Sequence, residues 1–148
     1  MGIVWGALGV ALCVLLCGCG SAIGLTYTGR AAAGVLAENP KKFGSVLVLA
    51  LLPATQGIYG FVIGIIGMGK LAADISLAAG WQIFMACLPL AIVGLISAIF
   101  QGRTSVGGLN ALAKRDLSVG RLILFPAMVE TYSILAFVIS IMMLSAIV

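Results

Sequence analysis

Four long apolar stretches separated by short clusters of charge set the layout of this chain. No Asp, Glu, Lys or Arg occurs in residues 1–29, 43–69 or 75–102, and a fourth stretch, 122–148, is interrupted only by Glu130. Each exceeds the roughly 20 residues that a helix needs to cross a bilayer. Continuous helices run further into water at the loop ends, and are expected over 3–37, 44–75, 80–112 and 118–147. The breaks between them have local causes. ENPKKFG at 38–44 contains Pro40, which removes a backbone donor and biases Asn39 away from helix. AKRDLS at 113–118 is a short polar turn with Asp116 or Ser118 as N-cap. The middle loop, about 74–80, offers Asp74, Ser76 and Gly80.

Composition sharpens this picture. The chain of 148 residues is 63% hydrophobic and 8% charged, with a mean hydropathy of +1.29. Soluble domains average about 45–50% apolar and about 25% charged. The expected class is therefore an all-α membrane protein of four transmembrane helices, with no room for a soluble domain. The net charge of +4 is read as membrane topology and not as a nucleic-acid surface. Arg30, Lys41, Lys42, Arg103, Lys114, Arg115 and Arg121 border the first and third loops, while Lys70 alone borders the middle one. That asymmetry puts the loops near 38–44 and 113–118 in the cytoplasm, and both termini outside.

Other signals are read as structural. Cys13, Cys17, Cys19 and Cys87 lie in apolar runs, where thiols act as small hydrophobes. Cys17 and Cys19 fall on different helix faces, which argues against a shared metal. LCGC at 16–19 resembles a lipoprotein cleavage box, but no Lys or Arg precedes it, so the first segment is read as retained. Pro53, Pro89 and Pro126 lie inside spans. Each can act as a kink, and Pro53 and Pro126 can also leave a carbonyl oxygen free for a ligand.

The chain repeats itself at a shift of 73 residues. Without gaps, Gly29, Arg30, Gly34 and Leu36 match Gly102, Arg103, Gly107 and Leu109. Lys41, Ser45 and Val46 match Lys114, Ser118 and Val119, and Leu49, Leu51, Pro53, Ala54 and Tyr59 match Leu122, Leu124, Pro126, Ala127 and Tyr132. Membrane composition alone supplies some Leu and Ala matches, but not Gly-Arg, Lys, Pro-Ala and Tyr in one register. The chain thus reads as a tandem duplicate of a helical hairpin, 1–74 and 75–148, both copies in the same orientation. One hairpin cannot bury its packing face alone. Small residues crowd the first helix (Gly2, Gly6, Gly9, Gly18, Gly20, Gly24 and 31–34) and the third (Gly94, Ser97, Ala98 and Gly102). In lipid such faces let backbones approach closely, and one such helix per repeat suits the inner wall of a ring.

In this register Glu130 pairs with Gly57, so only the second hairpin carries a membrane carboxylate. Glu130 lies nine residues past Arg121, or about 13 Å deeper at 1.5 Å per residue. An acid at that depth costs about 2.5–3.5 kcal/mol on insertion scales and marks an ion or proton path by default. The competing readings are a protonated structural residue or an ion pair, although every basic residue lies near a loop. Uncharged polar residues at similar depth are Thr55, Gln56, Tyr59, Gln101, Thr131, Tyr132 and Ser133. Tyr59 follows Gln56 by three and Thr55 by four, so these can share a face. A carboxylate, two amides and a hydroxyl form a hard oxygen set. One negative charge among neutral oxygens fits a monovalent cation. A proton needs only the carboxylate, so the amides favour Na+ over H+.

The segments PATQGIYGFVIG at 53–64, FQGR at 100–103 and PAMVETYSILAFVIS at 126–140 resemble the proteolipid of V-type rotary ATPases, in the branch of subunit K of bacterial sodium ATPases. The resemblance covers nearly the whole chain. It implies a homo-oligomeric rotor ring in the bilayer, turning against a stator subunit whose Arg helps release the ion, and coupled to central-stalk subunits. It also implies that Glu130 is the ion-carrying carboxylate. The Na+ ligands of that branch map onto the Leu52 backbone carbonyl, Thr55, Gln56, Gln101 and Glu130, with Tyr59 matching a Tyr that hydrogen-bonds the carboxylate. Pro126 replaces a Phe of some relatives. No GxxxxGK[ST] loop is present, so the chain is expected not to be an enzyme alone, with ATP hydrolysis on other subunits. Two rival classes are a small multidrug or cation antiporter, and a purely structural membrane assembly protein. Against the first, aromatics are only 7% and the acid lies on the last helix.

Overall fold

The computed structural model describes residues 1–115 and 117–147. Among these, every regular element is helical. This follows from the solvent: backbone groups in lipid have no water to bond, so each span must satisfy its own. Helix α1 spans Gly2–Glu38, α2 Phe43–Leu51, α3 Thr55–Met68, α4 Leu77–Lys114, α5 Val119–Leu122 and α6 Leu124–Ser145. Short 3-10 turns at Pro40–Lys42 and Leu52–Ala54 join α1 to α2 and α2 to α3. Among the described residues, four segments are long and apolar enough to cross a membrane: Gly2–Glu38, Pro40–Met68, Leu77–Lys114 and Leu124–Ser145.

The first and third spans match expectation to within three residues. The second ends at Met68, not 75. Gly69 caps α3, and the backbone N–H groups of Lys70 and Leu71 bond three residues back, to Gly67 and Met68, closing a tight turn. The fourth span does not run unbroken from 118, because Ile123 separates α5 from α6. Pro126 has no N–H for the Leu122 carbonyl, and the break falls there. Pro53 produces the equivalent interruption, the 3-10 turn Leu52–Ala54. Pro89 stays inside a continuous α4. Ser76 caps α4 by accepting from Ala79 N at 3.1 Å. Ser118 stands at the N-cap of α5 without a side-chain hydrogen bond; Asp116, the other expected cap, lies outside the described residues.

The most extensive packing is between α1 and α4, with α3 against α1 and α6 against α4. The two small-residue helices thus form one layer and the proline-broken helices the other. Close approach requires glycine at two points. A Cβ on Gly20 would lie 2.8 Å from Leu95 Cα, and a Cβ on Gly102 would lie 2.6 Å from Gly24 Cα. Gly18 and Gly34, counted above among the packing residues, face nothing within 4 Å. The interior divides along the helices. Val35, Val46, Leu49, Leu109, Leu112 and Leu122 form an apolar cluster toward the hairpin loops. A second cluster around Cys13, Cys17, Ile63, Ile83, Leu90 and Leu144 fills the opposite end. Cys17 is buried with its thiol 3.4 Å from the Leu90 carbonyl, whereas Cys19 is exposed. A layer of buried polar side chains lies between the clusters.

Candidate functional site

The polar layer begins where the second span breaks at Pro53. Thr55 and Gln56 start α3 directly after the 3-10 turn. The Thr55 hydroxyl donates to the Leu52 carbonyl at 3.0 Å and lies 3.3 Å from Gln56 Oε1. Gln56 and Gln101 are both fully buried. Gln56 Nε2 donates to Gln101 Oε1 at 2.7 Å and to Ser97 Oγ at 3.3 Å. Gln101 Nε2 in turn donates to Glu130 Oε2 at 3.0 Å and to the Pro126 carbonyl at 3.2 Å. The other carboxylate oxygen, Oε1, accepts from Tyr59 Oη at 2.8 Å. Stacking on Phe137, with ring centroids 5.1 Å apart, holds the Tyr59 ring in place.

Leu52, Thr55, Gln56, Tyr59, Gln101 and Glu130 therefore meet in one hydrogen-bonded group spanning α3, α4 and α6. Helical period explains the candidates that stay out. Thr131 is exposed and donates to its own helix at Met128. Tyr132 is 68% exposed, and Ser133 is buried with no hydrogen-bond partner among the described residues. Two carbonyls near the prolines accept side-chain donors: Ala50 O from Thr28 Oγ1 at 2.7 Å, and Pro126 O from Gln101 Nε2 at 3.2 Å. Thr28 and Gln101 are one 73-residue shift apart, so both hairpins use the same inner-helix position to hold the broken outer helix.

Sequence reading missed Ser97, which it counted only as a small packing residue. Ser97 is 5% exposed; its hydroxyl accepts from Gln56 and donates to the Val129 carbonyl at 3.1 Å. It thereby fixes the Gln56 amide and ties it to α6. The available signal was its spacing, four residues before Gln101 and so on the same face. Phe137, the support beneath Tyr59, carries the same spacing logic, seven residues after Glu130.

Among the described residues, no group of three or more His, Cys, Asp or Glu is arranged to hold a metal. The oxygens that converge are one carboxylate with hydroxyl, amide and backbone carbonyl groups. A family model for the ATP synthase C subunit matches the chain twice, over residues 8–67 and 84–143, once in each hairpin. The chain belongs to the ATP synthase C-subunit family. The double match also places the tandem hairpin duplication within that family. Among its relatives there, the chain is 45% identical to V-type sodium ATPase subunit K of Enterococcus hirae, over 94% of this chain and 89% of that one. It is 38% identical to A-type ATP synthase subunit K of Methanocaldococcus jannaschii, over 96% of this chain and 62% of that one. With four spanning helices, this family member is a multi-pass membrane protein.

Proposed function

We propose that this chain is the rotor subunit of a sodium-translocating rotary ATPase, binding one Na+ at Glu130 and carrying it through the bilayer as a homo-oligomeric ring turns. The observation that carries the reading is the buried polar layer closed on Glu130 between two apolar clusters. Its ligands are the Leu52 carbonyl, Thr55, Gln56, Gln101 and Glu130, with Tyr59 holding the carboxylate. Oxygens from four further groups exceed what a proton requires, and the Enterococcus hirae relative is by name a sodium ATPase subunit. Gln101 Oε1 accepts from Gln56 and keeps a second lone pair for the ion.

The chemistry sets the rotation rule. A bare carboxylate in lipid costs several kcal/mol, and a bound cation cancels its charge. The loaded site crosses the lipid-facing part of the turn. The unloaded site stays beside a positive charge, supplied by an Arg of the membrane stator. Central-stalk subunits couple the ring to ATP hydrolysis on other subunits, and this chain performs no chemistry alone. Hairpins 1–74 and 75–148 share one orientation, with loops 38–44 and 113–118 in the cytoplasm and both termini outside. One carboxylate per two hairpins lowers the number of ions moved per turn, which suits pumping against a steep gradient.

The test is uptake of radiolabelled sodium by the complete ATPase in vesicles. Wild type takes up sodium on ATP addition, and Glu130→Gln assembles but does not. Uptake that survives Glu130→Gln contradicts the reading. Proton pumping that is indifferent to sodium makes H+ the cargo instead.

A further inference from the structure

Thr55 and Gln56 stand in the first turn of α3, where backbone N–H groups have no partner within the helix. An N-cap side chain ordinarily accepts from the second or third of these. The N-cap of α3 is Ala54, which has no side-chain acceptor. The third N–H, that of Gly57, donates instead to Ser21 Oγ on α1 at 2.8 Å. Ser21 is 6% exposed, so water does not compete for this bond.

A serine hydroxyl reaches the backbone of another helix only where the two helices lie very close. Glycines at 57, 60, 64 and 67 form the edge of α3 that meets α1. A Cβ on Gly60, Gly64 or Gly67 would run into Cys17, Val14 or Val10, and one on Gly57 would lie 3.1 Å from Ser21 Oγ.

The 73-residue repeat shows when this serine is needed. Positions 21 and 24 are Ser and Gly, whereas their counterparts 94 and 97 are Gly and Ser. The break in the second span contains Pro53, while that in the fourth falls at Ile123, three residues before Pro126. Glu130, the counterpart of Gly57, therefore lies well inside α6, where the helix ladder takes its N–H. The serine at the first of the two positions occurs only in the hairpin whose break leaves the opposing N–H in a first turn.

We propose that Ser21 is a positioning residue of the ion site. Its hydroxyl caps α3 from α1, and so holds Thr55, Gln56 and the Leu52 carbonyl in the geometry that binds Na+. The Leu52 carbonyl belongs to the same unit, because it accepts from both the N–H and the hydroxyl of Thr55. This rests on the sodium reading above and extends it to a side chain that is not an ion ligand. Ser97 fixes the Gln56 amide; Ser21 fixes the backbone beneath it. Without the cap, the turn opens at Gly57, which has no Cβ to restrict it, and Leu52, Thr55 and Gln56 shift together. Glu130 keeps its place, held by Tyr59 and Gln101.

The test is carbodiimide labelling of Glu130 in purified rings of Ser21→Ala and of Ser21→Cys, which keeps the side chain's shape with a weaker acceptor. Two midpoints are read: the sodium concentration that half-protects at neutral pH, and the pH of half-labelling without sodium. The sodium midpoint should rise about fivefold in both variants, the weight of a lost N-cap, while the sodium-free pH midpoint stays where it is in wild type. A sodium midpoint unchanged in assembled rings overturns the proposal. So does a shift of both midpoints together, which means that Glu130 itself has moved. Failure of both variants to assemble gives Ser21 a role in folding alone, and overturns it too. Wild-type rings that sodium does not protect overturn the sodium reading, and the role of Ser21 with it.

Discussion

Replacing Ser97 with Ala removes one oxygen atom and alters no proposed ion ligand, yet the network predicts a measurable loss of sodium affinity. Gln56 Nε2 has two hydrogens, bonded to Gln101 Oε1 at 2.7 Å and Ser97 Oγ at 3.3 Å. Their directions fix where Gln56 Oε1 points, toward Thr55. In Ser97→Ala one buried N–H loses its partner and the amide can turn. A neutral hydrogen bond contributes about 1 kcal/mol net, and orphaning a buried donor costs about 1–3 kcal/mol. Val129 O is an acceptor in its own helix ladder, so it adds little. If the disturbance falls on the bound state, the loss is about 1–2 kcal/mol, or about 5–30-fold in affinity. The assay is the sodium concentration that half-protects Glu130 from carbodiimide in purified rings. A double-mutant cycle with Gln56→Leu supplies the sharper check. Once Gln56 is gone, Ser97→Ala should cost almost nothing further. An unchanged protection midpoint in the single variant, or simple additivity in the cycle, refutes the positioning role.

Other predictions follow from named contacts. Tyr59→Phe keeps the stack on Phe137 but deletes the 2.8 Å bond to Glu130. A hydrogen bond to a charged group contributes about 1.5–3 kcal/mol, so carbodiimide labelling should quicken and sodium protection weaken about tenfold or more. Thr28→Val removes the donor that holds Ala50 at the Pro53 break. Ring melting temperature should fall while the sodium midpoint stays within about twofold of wild type. Gly24→Leu drives a side chain into the Ala98 backbone and Pro53, and membranes should contain no assembled ring by native electrophoresis.

The spans were readable because lipid demands long uncharged helices, and charge marks their ends. The second helix end was not, since 65–69 is as apolar as a helix interior and only the local turn at Gly69 stops it. Glu130, Gln56 and Gln101 stood out as polar groups at membrane depth. Tyr59 and Thr55 followed from their spacing to Gln56. Ser97 did not stand out, because serine in a membrane helix serves equally as a small packing residue, and only contact geometry separates the roles. The break at Ile123 also escaped. Pro126 announced a disturbance, but Pro89, with the same chemistry, sits in an unbroken helix, so proline alone does not decide the outcome.

The most direct test of the central claim is carbodiimide labelling of Glu130 in purified wild-type rings, across pH, with and without sodium. The reagent attacks the protonated carboxyl, and a bound cation must displace that proton. The account predicts that sodium protects Glu130 at neutral pH, and that more sodium is needed as pH falls. Labelling that follows pH but ignores sodium would contradict it, leaving the buried amides as structure and the proton as cargo.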